Sequence, residues 1–399
     1  MGQLNRWQPS GWDGRPPQPF KIAIPEAELE DLRERLARTR WPDEVPGASW
    51  ALGTELRYLQ ELVSYWRHGY DWRKQEAFLN SFGQYKASID GIGVHFIHER
   101  GEGPSPQPLL LTHGWPGSYF EYHKLIPLLT RPSAFGGDPN DAFSVVVPSM
   151  PGYGFSFECG QPRFGIQEIA DSLACLMTEV LGYRRFAAHG HDWGAFVATR
   201  LGFAHATKLM GIHITLLAIP RQTLPEGPLN AGEEAFQRQL TRWLAEETGY
   251  SAIMGTKPQT LAYALSDSPV GLAAWIVEKF RSWSDCEGDV DSYFGRDVLL
   301  TNIMLYWLTR SINASCWPYY ARKHGPWIVP QGEKVMVPTG YAEHPRDILT
   351  PPRSVAEGMY GNIQRWTRMP RGGHFPALEA PEALAKEIRT FFRPLRKVH

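Results

Sequence analysis

The chain has 399 residues, 43% of them hydrophobic and 21% charged, with a formal net charge of −1. That is the composition of an ordinary globular protein, and it gives no reason to expect nucleic acid or an anionic membrane as a partner. No apolar run approaches a membrane span, and Met1-Gly2-Gln3-Leu4-Asn5-Arg6-Trp7 has no apolar segment or cleavage-site pattern, so a cytoplasmic protein without a membrane anchor is expected. Cys159, Cys175, Cys286 and Cys316 show no C-x-x-C spacing and read as free thiols in a reducing compartment.

In chain order, residues 1–19 are rich in Pro, Gly and Trp and predict an irregular arm. Residues 26–40 place Leu29, Leu32 and Leu36 at helical steps and stop at Trp41-Pro42; a second helical region is expected over 54–82, with Leu56, Leu59, Leu62, Val63 and Trp66 on its apolar face. Residues 87–99 alternate around Gly91-x-Gly93, which predicts a hairpin. Buried strands then follow at 109–111, 143–147, 186–190 and 209–219, with helix-like stretches between them. This rhythm predicts an α/β fold, a mostly parallel sheet with helices on both faces. It breaks at 221–330, a helix-like stretch dense in Trp and Tyr, and resumes at Val335-Met336-Val337-Pro338 before a last helix over 381–392. The expected division is an N-terminal section 1–86, a first core part 87–220, a helical cap 221–330 over the strands' C-terminal ends, and a second core part 331–399.

The chemistry centres on Gly190-His191-Asp192-Trp193-Gly194, where an apolar run meets a helix-like segment. Small residues flank a central Asp in the pattern of a strand-to-helix nucleophile elbow, which holds its middle residue in a strained backbone. A carboxylate nucleophile forms an ester that must then be hydrolysed, so a His oriented by a second carboxylate is required. His374, in Arg371-Gly372-Gly373-His374-Phe375, stands where such a His belongs, and Asp347 or Glu343 in the loop after the strand near 335 could orient it. The loop His113-Gly114-Trp115-Pro116 is the candidate to supply one backbone N–H to an oxyanion, and Trp193 the other. His189-Gly190-His191-Asp192 has no second cluster to complete a metal site, so no metal is expected.

Taken together, these stretches resemble the microsomal-type epoxide hydrolase family of the α/β-hydrolase superfamily. The likeness rests on Leu32, Leu36 and Thr39-Arg40-Trp41-Pro42 near the N-terminus, His113-Gly114-Trp115-Pro116-Gly117-Ser118, Pro151-Gly152-Tyr153-Gly154-Phe155-Ser156, Asp192-Trp193-Gly194 and Arg371-Gly372-Gly373-His374-Phe375. It implies an α/β-hydrolase core, an N-terminal segment wrapping core and cap, and cofactor-free hydrolysis of a small apolar or aromatic epoxide to a vicinal diol, in a protein that could assemble as a homo-oligomer. It also implies two cap tyrosines that hold and protonate the epoxide oxygen. Tyr250 matches the first, and Tyr319 matches the second better than Tyr320. Trp115, Trp193, Met254 and Phe375 are the implied substrate contacts. The family commonly has Gly where His191 stands and Gln where Met254 stands. Two other readings share the scaffold: a haloalkane-type dehalogenase, with the Trp193 indole donating to halide, and a non-catalytic binding protein.

Overall fold

The computed structural model describes residues 11–219 and 228–396; Met1–Trp7 and the start of the expected cap lie outside them. One nine-stranded sheet runs through the molecule: β1 (Gln18–Pro19), β2 (Gln84–Ile89), β3 (Ile92–Glu99), β4 (Gln107–Thr112), β5 (Phe143–Pro148), β6 (Phe186–Gly190), β7 (Leu209–Ile214), β8 (Thr339–Glu343) and β9 (Ile363–Arg368), in the spatial order β1-β2-β3-β5-β4-β6-β7-β8-β9. Pairing is antiparallel from β1 to β5 and parallel from β5 to β9. The β2–β3 hairpin turns on Asp90 and Gly91, both at positive φ (56° and 76°), which suits the twist of a two-residue connection.

β4 lies in the middle, with β5 on one side and β6 on the other. Leu109, Leu110, Leu111 and all of β5 are buried, as strands covered on both faces must be. Because the chain leaves β4 towards β5 and returns to β6 on the opposite side, the connections after β4 and β6 run on in opposite directions from adjacent C-terminal ends. That is where α/β sheets open a crevice.

The expected helix at 26–40 is present as Glu26–Ala37, with Leu29, Leu32 and Leu36 buried. The region at 54–82 is two helices, Leu56–His68 and Trp72–Leu79. Gly69 ends the first, and the Asp71 side chain accepts from Lys74 N to cap the second. Between β7 and β8 the described residues form eight helices, beginning with Ala231–Glu246 and ending with Trp317–His324. Side chains of the N-terminal section are tied to them: Tyr58 Oη donates to Asp291 (2.6 Å), Tyr65 Oη to Asp297 (2.8 Å) and Thr54 Oγ1 to the Ala274 carbonyl (2.8 Å).

Three strand expectations need correction. The strand placed at 335–338 begins four residues later. Pro338 has no N–H for a ladder, but its carbonyl accepts from Ile212 N at 2.9 Å and β8 starts at Thr339. The strand placed at 209–219 stops at Ile214, because its neighbour β6 has ended at Gly190. β9 was not foreseen; its sequence Ile-Gln-Arg-Trp-Thr-Arg is half polar, as a charged edge strand is. The last helix, Pro381–Phe392, has the expected bounds.

Leu62 is fully buried on the helix Leu56–His68. Leu62→Ala is expected to lower unfolding free energy by about 2–5 kcal/mol, against about 1 kcal/mol for loss of the cap in Asp71→Ala; chemical denaturation midpoints at constant slope measure both.

Candidate active site

β6 runs straight into the elbow. Asp192 has φ 48° and ψ −128°, a conformation side chains rarely adopt. Three glycines make the turn possible. A Cβ at Gly190 would stand 2.2 Å from the Gly194 carbonyl oxygen, one at Gly194 would stand 2.0 Å from that of Thr112, and one at Gly114 would stand 2.2 Å from Asp192 Oδ1. The loops after β4 and β6 therefore touch backbone to backbone. Trp115 N–H donates to Asp192 Oδ1 at 2.8 Å. Burial would raise the Asp192 carboxyl, but His374 and the backbone N–H groups of Trp115 and Trp193 outweigh it and hold it below its ordinary value.

The other carboxylate oxygen faces the histidine. His374 Nε2 lies 3.4 Å from Asp192 Oδ2, and Nδ1 is 2.7 Å from Asp347 Oδ1. Asp347 Oδ1 also accepts from Ile348 N at 2.7 Å. Glu343 is engaged elsewhere, by the Trp366 indole (3.3 Å) and Arg368 (3.4 Å), so of the two carboxylates Asp347 is the one beside His374. Burial pulls the His374 pKa down, yet the carboxylates of Asp347 and Asp192 lift it to about 10.

Tyr250 and Tyr319 face this pair from the helices Gly249–Thr256 and Trp317–His324. The Tyr250 ring stacks on Trp115 (5.2 Å, 9°) and lies 5.6 Å from that of Tyr319, which stands edge-on to Trp193 at 4.7 Å. Burial raises the Tyr319 phenol well above its ordinary value, so it keeps its proton at neutral pH. Its Oη has no hydrogen-bond partner among the described residues. Tyr320 points away, stacked between Trp317 and His324.

Asp192, Trp193, Tyr250 and Tyr319 line one cavity of about 40 Å³, with Phe196, Leu216, Leu217, Ile219, Phe236 and Leu349 among its apolar walls. An open groove of about 940 Å³ meets it along Trp193, Phe196, Ile219, Tyr319 and Arg322. Three expected substrate contacts are not on these walls. Trp115 is fully buried, its ring stacked against Tyr250. Met254, one turn along the helix from Tyr250, is fully buried and does not line the cavity, and Phe375 is stacked on Phe280 at 4.2 Å. Another cleft, of about 820 Å³ between the helices Glu26–Ala37 and Pro269–Ser282, holds none of the candidate residues. Among the described residues there is no group of three or more His, Cys, Asp or Glu arranged to hold a metal ion, and no helix is long and apolar enough to cross a membrane.

Several supports of the site were not foreseen. Asn302 accepts from Ser118 Oγ and donates to the Pro116 carbonyl, both at 2.8 Å, and Tyr306 Oη donates to the Gly117 carbonyl at 2.6 Å. The Trp283 carbonyl accepts from His374 N at 2.8 Å. Buried Glu379 accepts from the backbone N–H groups of Gly373 and Phe375, and burial pushes its pKa up to about 7. Nothing in the spacing of these residues marks them; each is a polar side chain or carbonyl meeting loop backbone from far along the chain.

Residues 17–122 match the family described as epoxide hydrolase N terminus, and residues 109–387 match the alpha/beta hydrolase family. Epoxide hydrolase 1 of Oryctolagus cuniculus is 38% identical over 96% of this chain and 90% of its own length. The chain belongs to the epoxide hydrolase family. Its fold is the α/β-hydrolase fold seen in solved relatives. Juvenile hormone epoxide hydrolase of Bombyx mori superposes with a TM-score of 0.87 at 28% identity, covering 97% of this chain and 96% of that one. The Aspergillus niger epoxide hydrolase superposes with a TM-score of 0.84 at 30% identity, covering 97% and 98%.

The His374 proton also links stability to pH. The folded state holds it to about pH 10, against an ordinary value of 6.5. Its stabilisation is therefore complete below about pH 6.5 and lost as pH rises through about 10, at up to ~1.4 kcal/mol per pH unit for one proton. Denaturation curves between pH 7 and 10.5 should show this decline, and in Asp347→Asn the decline should shift to lower pH.

Proposed function

We propose that this epoxide hydrolase family member converts an apolar or aromatic epoxide to a vicinal diol through a covalent ester on Asp192. The observation that carries the reading is the division of labour at that carboxylate: Oδ1 is held by the Trp115 N–H, while Oδ2 faces both His374 and a cavity walled by two phenols. In the first step Oδ2 attacks an epoxide carbon, the carbon–oxygen bond breaks, and the leaving oxygen takes a proton from Tyr319 or Tyr250. Esterification removes the Asp192 charge. His374 then loses one of the two anions that hold its proton, releases it to the phenolate, and becomes a base. In the second step His374 takes a proton from water, whose oxygen attacks the ester carbonyl. The oxyanion falls between the N–H groups of Trp115 and Trp193, and collapse expels the diol and regenerates Asp192.

Residues 221–330 serve in this reading as a lid, and the groove beside Trp193 and Arg322 as the approach to the cavity. At about 40 Å³ the cavity has room for a few waters, so lining side chains must turn aside to admit a substrate. Halide displacement draws on one observation: the Trp193 indole N–H is buried without a hydrogen-bond partner among the described residues. The two tyrosines argue for an epoxide, whose opening needs a proton that halide release does not.

Turnover of aryl and alkyl epoxides and of haloalkanes by wild type and Asp192→Ala tests the reaction. Diol is expected from the wild type and none from the variant; halide without diol would hand the site to dehalogenation. In His374→Gln the ester should accumulate, visible by mass spectrometry as protein heavier by one substrate. Tyr319→Phe is expected to lower kcat by about 10²-fold or more, and an unchanged kcat would remove it from the mechanism.

A further inference from the structure

We propose that His191 and Glu121 are positioning residues: a buried dyad sharing one proton, which clamps the loop bearing the Trp115 N–H onto the nucleophile elbow. The inference rests on the reading of Asp192 as nucleophile and goes beyond it, because neither residue touches substrate.

Glu121 lies in the single turn Tyr119–His123 that follows the loop after β4, and its carboxylate is sealed from solvent. Oε1 sits where a side chain at Gly117 would begin, 1.2 Å from the position of a Cβ there, so the glycine leaves room for the acid. Oε2 is 2.6 Å from His191 Nε2, with side-chain exposures of 1% and 2%. The contact is an ion-pair approach, and neither carboxylate oxygen has an aligned hydrogen-bond partner among the described residues. An isolated carboxylate would be costly at such a position, so the histidine is what makes Glu121 tolerable.

The protons can be counted. Tyr122 Oη donates its one hydrogen to the Thr112 carbonyl at 2.7 Å and lies 3.1 Å from His191 Nδ1. With that hydrogen spent, Oη can only accept, so Nδ1 carries a proton. Two lone pairs would repel across the 2.6 Å contact between Nε2 and Oε2, so a second proton lies there. Whichever atom holds it, the pair is neutral overall. Around it stand Asp192, His374 (ring centroids 6.4 Å apart) and the buried His113, His189 and His344, with Tyr306 also facing Glu121. A change of charge at Glu121, 2.6 Å from His191, therefore alters the field on Asp192 and His374.

The dyad also has a mechanical consequence. His191 is the residue before Asp192, and Glu121 and Tyr122 follow the oxyanion loop closely. Their contacts join the two segments that must keep the 2.8 Å Trp115–Asp192 hydrogen bond. A glycine at 191, which the family resemblance leads one to expect, would leave this contact unmade.

The test compares E121Q, H191G and Y122F with wild type in steady-state epoxide hydrolysis across pH, with ring NMR of 15N-histidine-labelled free protein. We expect kcat to fall about 10- to 100-fold in E121Q and H191G with KM changed less than threefold, short of the loss from deleting an oxyanion donor. The alkaline limb of the kcat profile should move in E121Q. The spectrum should hold a far-downfield proton that disappears in both E121Q and H191G, while Y122F shifts only the Nδ1–H. Folded E121Q with wild-type kcat, pH profile and downfield proton would overturn the proposal, and so would a loss of melting temperature with none of the three changed. If the wild type forms no diol, the epoxide reading fails, and the downfield proton still decides whether the dyad exists.

Discussion

The site depends on one close approach, the contact between the loops that leave β4 and β6. Their strands are neighbours in the middle of the sheet, so both loops emerge at one edge and must share the same space. Glycines at 114, 190 and 194 let the backbones pass with no room for a Cβ, and the positive φ of Asp192 turns its carboxylate into the gap. The strain of that conformation is tolerable because the residue is over-determined. One carboxylate oxygen is bonded to Trp115 N–H, the other faces His374, and a helix begins directly behind it.

Electrostatics follow from that geometry. Asp192 and Asp347 are buried carboxylates on either side of one imidazole. In a resting site the arrangement is stable only with His374 charged, which is why burial fails to lower its pKa. A histidine held so firmly is a poor base. It becomes a good one only when one anion is removed, as the proposed ester on Asp192 would do. Under the proposed reaction the first chemical step thus switches on the second.

Much of this was legible in the sequence, and the limits were physical. The elbow and the Gly-Gly-His loop announce themselves because few residues other than glycine fit such turns. The buried strands read clearly because apolar runs between turn residues have few other meanings. Asp347 and Glu343 could not be separated by spacing, since one ends β8 and the other lies four residues beyond; the choice was made by Trp366 and Arg368, which occupy Glu343 from β9. Met254 lies on the same short helix as Tyr250, and Phe375 is adjacent to His374, yet neighbours in sequence need not share a cavity. The least visible partners were Asn302, Tyr306 and Glu379, ordinary polar residues whose work is to satisfy loop backbone brought to them only by the fold.

Those partners constrain how the site can open. Asn302 and Tyr306, on the helix Arg296–Thr309, bind the carbonyls of Pro116 and Gly117 and so anchor the loop that carries the Trp115 N–H. Trp283, just after the helix Pro269–Ser282, accepts from His374 N and fixes the histidine loop. These two points of the helical insertion cannot swing away without carrying off the Trp115 N–H or His374. Space for a substrate must therefore come from the opposite wall, where Phe236, Ile219, Leu349 and Arg322 meet the groove. The insertion is in this sense two structures: a fixed part that completes the catalytic geometry, and a wall of side chains that can turn without disturbing it.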